Sequence, residues 1–235
     1  MELSEYKRVP GLDIAGVIND TAVDVIATID KVAMVTDLLH HYLVDYDSFS
    51  GEKYLIPNQH LQLSYSNCLP TATFLVGLSW RSSVTSHSRN EHYLTVEELK
   101  PLFEIEGVQF VNLQYDECDE ELEWVEKRYP GKLINFSDLD QYNDFEGVAA
   151  LMSCLDLIIS PATTVVELAG ALGIPTWLFS NSSEIDWRKK NSENIDVWYS
   201  SVEIVDCEPL GNKTKLVACL KNKLDQTKLV GSRYE

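Results

Sequence analysis

Short apolar runs alternate with segments of helical periodicity over the carboxyl-terminal two thirds of the chain. The runs lack the apolar–polar alternation of a half-exposed strand, so they predict strands that are buried on both faces. The predicted strands are residues 73–80, 108–115, 132–136, 155–160, 174–179 and 202–206.

The segments between these runs carry apolar residues at helical spacing. The predicted helices are residues 119–129, 144–154, 164–172 and 213–224. Another helix should begin at the capping box formed by Thr95 and Glu98, with Pro101 kinking it, and Gly173 should end helix 164–172. Strands alternating with helices predict an α/β domain over residues 71–235, a Rossmann-like doubly wound parallel sheet. Such sheets bind ligands beyond the carboxyl ends of their strands.

The first 70 residues follow this pattern less regularly. Residues 23–29 fit a strand, residues 32–44 fit a helix, and the polar stretch 58–67 resembles a connection between two units. We therefore expect residues 1–70 to form a short, incomplete amino-terminal α/β segment and a linker.

Charge and cysteine content narrow the possible partners. With 19 Lys and Arg against 37 Asp and Glu, the net charge of -18 argues against nucleic acid or an anionic membrane as a partner. The five cysteines are odd in number and form no CxxC pair, so neither a disulfide framework nor a zinc knuckle is expected, and Cys154 and Cys219 fit small core residues. The sequence shows no signal peptide, and no apolar stretch approaches the roughly 20 residues of a membrane span. We expect a cytoplasmic protein.

The strongest candidate for chemistry is the junction of a predicted strand and helix at residues 157–173. The strand ends at Ser160 and the helix begins near Thr163 and Thr164. The first turn of a helix has free backbone N–H groups and the positive end of the dipole, which together bind anions. The alternative is that Thr163 only caps the helix.

A second candidate is the polar segment 79–93, which follows the first strand of the domain. Arg81, just past the strand end, can donate two hydrogen bonds to a diphosphate. The alternative is a surface loop in which Arg89 pairs with a carboxylate. Gln114, at the end of the second strand, can read a base or ribose or cap the next helix.

Several familiar motifs are missing. The sequence has no GxGxxG after a strand, no GxxxxGK(S/T) and no GxSxG, which argues against a dinucleotide dehydrogenase, a P-loop nucleotidase and a common α/β-hydrolase. The acidic stretch 137–146 does not fit an EF-hand loop, so no metal is expected.

Six ordered blocks carry a resemblance to a known family, the carboxyl-terminal half of GT-B glycosyltransferases. They are VGLSWRSS, RNEHYLTVEELKPLF, VQFVNLQYDE, DFEGVAALMSCLDLIISPATTVVELAGALGIPTWLF, DWR and VWYSSVEIV. The resemblance covers about residues 73–205. Within that fold, the chain resembles bacterial proteins in which this domain often follows tetratricopeptide repeats. It is also similar to the heptosyltransferase and O-linked N-acetylglucosamine transferase groups.

The resemblance implies a domain that binds a nucleoside-diphosphate sugar as donor substrate, with no metal and no other cofactor. UDP is the expected nucleotide, with GDP and ADP as alternatives, and the acceptor is unknown. The helix start matches the part that holds the diphosphate, and Glu167 matches a position facing the ribose or sugar. The residues expected to bind the nucleotide diphosphate are Arg81, Ser82, Gln114, Thr163, Thr164, Val165 and Glu167. No catalytic base is assigned.

The length departs from the family pattern. A GT-B enzyme has two Rossmann-like domains with the active site between them, whereas about 70 residues precede the first regular strand here. We therefore expect a missing amino-terminal domain, a reduced form, or a partner such as a second copy. The first hypothesis is a glycosyltransferase or its donor-binding half. The alternatives are a non-catalytic nucleotide-sugar-binding module and a sugar-nucleotide epimerase on the same architecture.

Overall fold

The structure is a computed structural model that describes residues 43–83, 90, 92–181, 183–190, 194–208 and 211–231. Contacts divide the chain after Val44, rather than at residue 70, and the fold described here is that of the unit Asp45–Glu235. The predicted strand 23–29, residues 32–42 of the predicted helix, and Arg89 lie outside the described residues.

The described residues form one parallel six-stranded sheet, which confirms the predicted fold class. Its order is β3-β2-β1-β4-β5-β6. Strands β2 and β3 are added on one side of β1 and strands β4 to β6 on the other, so the strand order reverses between β1 and β4. Each strand is shorter than its apolar run, and β3 has only two residues. The strands are β1 (Phe74–Leu78), β2 (Val108–Asn112), β3 (Leu133–Ile134), β4 (Leu157–Ser160), β5 (Thr176–Phe179) and β6 (Val202–Val205).

Helices cover both faces of the sheet, which is why the strands read as unbroken apolar runs. The α-helices of the described residues are α1 (Gln59–Cys68), α2 (Lys100–Phe103), α3 (Asp119–Arg128), α4 (Phe145–Met152), α5 (Thr164–Leu172) and α6 (Lys213–Gly231). Helices α2, α3 and α6 pack on one face, with Val76 and Leu78 of β1. Helices α4 and α5 pack on the other face, with Leu75. None of these helices is long and apolar enough to cross a membrane.

Helix ends follow the capping chemistry of the sequence. Gly173 ends α5 in the left-handed region with φ 73°, as predicted. The capping box also forms, because Thr95 N donates to Glu98 (2.9 Å) and Glu98 N donates to Thr95 Oγ1 (3.2 Å). The predicted kink at Pro101 is wrong. The proline lies in the first turn of α2, where a missing N–H costs nothing.

The prediction of a polar linker at residues 58–67 is also wrong, because this stretch forms α1. The Asn58 side chain caps the helix, accepting hydrogen bonds from His60 N (3.0 Å) and Leu61 N (3.3 Å). The ring of Tyr65 packs edge-on against Phe136, with centroids 5.2 Å apart. Contacts with the rest of the unit therefore stabilise a helix whose own sequence is weakly amphipathic.

Cysteine pairing differs from the prediction. Cys207 and Cys219 form a disulfide that joins the loop after β6 to α6, with Cα atoms 6.7 Å apart. The sequence has no CxxC motif and an odd number of cysteines, so it does not predict this pair. The turn into α6 brings together residues 12 positions apart. Cys154 is half-buried rather than a full core residue.

Candidate functional site

A cavity of about 480 Å³ opens at the carboxyl ends of β1 and β2, beside the amino terminus of α5. Two of its walls are α5 and α4, and the others are the loops that follow β1, β2 and β3. The place matches the reversal of strand order between β1 and β4, where doubly wound sheets bind ligands. The lining residues are Ser82, Ser83, Leu113, Tyr115, Gln141, Tyr142, Asn143, Phe145, Val148, Met152, Thr164, Val165 and Leu168.

The amino terminus of α5 presents free backbone donors to this cavity. Thr163 has extended backbone angles, but its side chain makes no capping bond and lies 3.2 Å (Oγ1) from Ser160 Oγ instead. The carbonyl oxygen of Thr163 accepts hydrogen bonds from the amides of Val166 and Glu167. Within the described part of the chain, the amides of Thr164 and Val165 have no hydrogen-bond partner. The end of α5 therefore keeps the donors and dipole that an anion needs.

Ser82 lies on the cavity wall, where Tyr115 holds it. The Tyr115 hydroxyl lies 3.2 Å from Ser82 Oγ and accepts a hydrogen bond from Ser83 N at 3.3 Å. The rings of Tyr115 and Tyr142 have centroids 6.3 Å apart. Tyr142 and Phe145 are 62% and 51% exposed, so aromatic surface borders the opening of the cavity.

Gln141 is one of the polar wall residues that sequence reasoning missed, together with Ser83 and Asn143. Its Nε2 donates to the carbonyl oxygen of Asn112 at 3.1 Å, and its Oε1 is buried without a hydrogen-bond partner in the described structure. Its position in the chain was the one available sign of a role in binding. Gln141 follows β3 at the carboxyl edge of the sheet, within the acidic stretch 137–146, which was assessed only as a metal site.

Gln114 has a structural role in the turn after β1. Its Oε1 accepts hydrogen bonds from Trp80 N (3.0 Å), Arg81 N (3.2 Å) and Ser79 Oγ (3.2 Å). Its Nε2 donates to the carbonyl oxygen of Arg81 (2.9 Å) and to Asp116 (2.6 Å). The side chain is 2% exposed and is not part of the cavity wall. It does not cap the next helix, which has no side-chain capping bond, and its contact with a base or ribose stays a prediction.

Arg81 is engaged by carboxylates. It donates to Glu121 from Nε (3.2 Å) and Nη2 (2.5 Å), and it also donates to Asp116 and to the Glu117 carbonyl. The hydrogen bond with Glu121 raises the pKa of Arg81, although burial acts in the opposite direction. Arg81 is absent from the cavity wall. Its binding to a diphosphate stays a prediction, and it requires the guanidinium to exchange carboxylate partners for phosphate.

Glu167 belongs to a second arginine–carboxylate cluster rather than to the cavity wall. Arg188 donates to Glu167 from Nη1 (2.6 Å) and to the fully buried Asp196 from Nε (2.5 Å). Burial acts to lower the pKa of Arg188, but the hydrogen bonds with Glu167 and Asp196 outweigh it and raise the pKa. Burial also raises the pKa of Tyr199, with added effects from Tyr54 and Glu167. Contact of Glu167 with a ribose or sugar stays a prediction.

The described side chains of the cavity wall are uncharged. Its described residues offer hydroxyl, amide, aromatic and aliphatic groups, and they include no carboxylate, imidazole or amine. Across the described chain, no group of three or more His, Cys, Asp or Glu side chains is placed to hold a metal ion.

Comparison with known proteins gives one relative in sequence. No protein-family model matches the chain. Over 136 residues it is 31% identical to protein FlbA of Caulobacter vibrioides, an alignment that covers 58% of this chain and 22% of FlbA. The chain thus spans about a fifth of that protein, whose name states no activity.

Comparison of structures is more informative. The ADP-heptose lps heptosyltransferase II of E. coli superposes with a TM-score of 0.52 at 15% identity, covering 77% of this chain and 54% of the enzyme. A glycosyl transferase family 9 protein of Veillonella parvula superposes with a TM-score of 0.54 at 14% identity, covering 83% and 58%. The fold is shared with slightly more than half of either solved glycosyltransferase. The expected Rossmann-like α/β fold, that of one half of a GT-B architecture, is therefore confirmed.

Proposed function

We propose that this domain binds a nucleoside-diphosphate sugar and serves as the donor-binding half of a glycosyltransferase. The observation that carries the proposal is the uncapped amino terminus of α5 at the cavity, where the amides of Thr164 and Val165 have no partner in the described chain. A diphosphate supplies the negative charge and the acceptor oxygens that this helix end lacks.

The same helix end suits the reaction as well as binding. Transfer breaks the bond between the sugar carbon and the diphosphate oxygen, and negative charge develops on that oxygen. Fixed backbone donors and a helix dipole stabilise such charge without a metal ion. The acceptor oxygen forms the new bond to the sugar, and its proton must go to a base. The described wall has no such base, so we place it on a segment beyond the wall or on a partner.

The alternatives make different demands on the wall. An epimerase needs acid and base groups beside the sugar, which the described wall does not contain. A binding module needs only the donor site and differs from a transferase in turnover. The named donor of the E. coli neighbour, ADP-heptose, supports a nucleotide-linked sugar as the ligand class. UDP, the nucleotide expected from sequence resemblance, stays a prediction.

Thr164→Pro tests the diphosphate site by removing one backbone donor. Thr164 is the first residue of α5, where proline is accommodated, and the extended backbone of Thr163 suits a following proline. We expect the affinity for nucleoside diphosphates in isothermal titration calorimetry to fall about tenfold or more, while the fold is kept. Thr164→Val, which keeps the amide and removes the hydroxyl, separates the two donors.

Gln59→Pro is the matched control, because it places proline at the first residue of another helix. Asn58 there has extended backbone angles, and its side chain caps the amides of His60 and Leu61, which the substitution leaves in place. This variant should bind nucleoside diphosphates like the parent. Equal affinity of Thr164→Pro and parent, or no binding of ADP, UDP, GDP or CDP to the parent, contradicts the proposed function. Release of nucleoside diphosphate from a sugar donor distinguishes a transferase from a binding module.

A further inference from the structure

One residue of the cavity wall, Gln141, carries a buried side-chain acceptor whose bonding is incomplete. Gln141 Oε1 is buried, and it accepts no hydrogen bond in the described structure. A buried acceptor without a donor is costly, so such an atom on a residue that lines a cavity points to a donor supplied from outside the chain.

The orientation of this amide is fixed. Gln141 Nε2 donates to the carbonyl oxygen of Asn112 at 3.1 Å, so a flipped amide would place two oxygens against each other. Asn112 is itself held, since its Nδ2 donates to Asn135 (2.9 Å) and its Oδ1 accepts from Gln114 N (2.9 Å). Oε1 therefore stays an acceptor, and Nε2 has a second N–H.

The surroundings of Gln141 suit a flat ring. Leu113, Val148 and Met152 are buried apolar residues of the same cavity, and the rings of Tyr115 and Tyr142 stand beside them. A heteroaromatic ring buries apolar faces against such residues and presents hydrogen-bonding groups only at its edge. The helix end that suits a diphosphate lines the same cavity.

We propose that Gln141 selects the nucleobase of the donor: Oε1 accepts a hydrogen bond from an exocyclic amino group, and Nε2 donates to the adjacent ring nitrogen. This inference rests on the proposed function. Because Oε1 is buried, the atom that reaches it must project beyond the ring, which an amino nitrogen does. Adenine and cytosine carry an amino group beside a ring acceptor. Uracil and hypoxanthine have a carbonyl oxygen in place of this amino group, and that oxygen repels Oε1.

Two nucleotide pairs test this selection, because each exchanges the amino group for a carbonyl. ADP is compared with IDP, and CDP with UDP, by calorimetry on the full chain. We expect the parent to bind the amino-bearing member of each pair about tenfold more tightly or better. Gln141→Leu should bring each ratio within about twofold, because it removes the atom that discriminates. Gln109→Leu, at an amide that bonds the Gly131 and Lys132 carbonyls and is not on the wall, should keep both ratios.

The outcomes separate the two proposals. Equal binding within each pair, or unchanged ratios in Gln141→Leu, overturns selection by Gln141. If binding is still weakened by Thr164→Pro in that case, the diphosphate site stands. If none of the four nucleotides binds the parent, both proposals fail.

Discussion

The carboxyl edge of the sheet holds two kinds of polar region. In the arginine clusters around Arg81 and Arg188, charged groups meet carboxylates at short distance. On the cavity wall, in contrast, the amides at the start of α5 and the Oε1 of Gln141 have no partner within the described residues. Charged side chains attract attention in a sequence, yet here they pair mainly with one another, although Arg188 Nη2 is buried without a hydrogen-bond partner in the described structure.

The arginine clusters therefore have the properties of groups that stabilise the fold, and the cavity wall has those of groups that bind a ligand. A polar group that is fully bonded in the protein must lose those bonds before it can meet a ligand, whereas an unmatched group gains from one. Breaking the clusters should therefore reduce stability, and changing the wall should reduce binding. The predictions below test this division.

The largest expected effect is on the Arg188 cluster. Asp196→Ala leaves the guanidinium of Arg188, whose side chain is 7% exposed, without its most buried partner. We expect the free energy of unfolding in urea to fall by about 3–5 kcal/mol. Asp186→Ala is the control. Its carboxylate pairs with Lys189 and is 51% exposed, so the loss should be about 1 kcal/mol or less. Similar losses in the two variants would refute the assignment of a structural role to this cluster.

One substitution made at two positions compares the regions directly. Gln114→Leu removes the acceptor of two backbone amides, Trp80 N and Arg81 N, and should lower the free energy of unfolding by about 1–3 kcal/mol. Gln141→Leu removes one hydrogen bond together with an unpartnered buried acceptor, so it should change stability by about 0.5 kcal/mol or less without ligand. The comparison fails if Gln141→Leu is the more destabilised of the two.

A smaller effect concerns pH. Burial raises the pKa of the Cys118 thiol, near the Arg81 cluster, from 9.0 to about 11, and the charge of Glu121 adds to the rise. The unfolded chain then loses this proton at lower pH than the folded chain. The stabilisation is complete below pH 9 and is lost as the pH rises towards 11.

Urea unfolding of the parent and of Cys118→Ala at pH 8, 9.5 and 11 checks this expectation. The free energy of unfolding should fall with pH by about 1 kcal/mol more in the parent. The two proteins are compared by how their free energies of unfolding change with pH. Their absolute values also differ, because the substitution removes buried volume. Parallel curves would mean that Cys118 titrates alike in the folded and unfolded chains.

Much of the fold follows from local patterns in the sequence. The six apolar runs contain the six strands, and Gly173 ends α5 as its sequence indicates. Helix α1 was missed because its stability comes from contacts distant in the chain, such as Tyr65 against Phe136. The kink at Pro101 was mispredicted because the helix begins later than its capping box suggests.

The candidate site was less predictable. Thr164, Val165 and Ser82 do lie on the cavity wall, since their positions follow from strand and helix ends alone. The roles of Gln114 and Arg81 depend on partners 33 to 40 positions away, which no local pattern specifies. Gln141 is uncharged and lies in no recognised motif. Only the structure shows that its Oε1 is buried without a hydrogen-bond partner in the described chain.

The order of the strands also governs when this domain can form. Strand β1 lies between β2 and β4, and the hydrogen bond from Leu75 N to Asp156 at the β1–β4 boundary joins residues 81 positions apart. A nascent chain that ends before β4 leaves one edge of β1 open and its apolar residues exposed. Parallel pairing at such separation is slow, because loop closure comes before the contacts that compensate for it. Productive folding therefore waits until β4 has left the ribosome, and the half-made sheet is the form most in need of a chaperone.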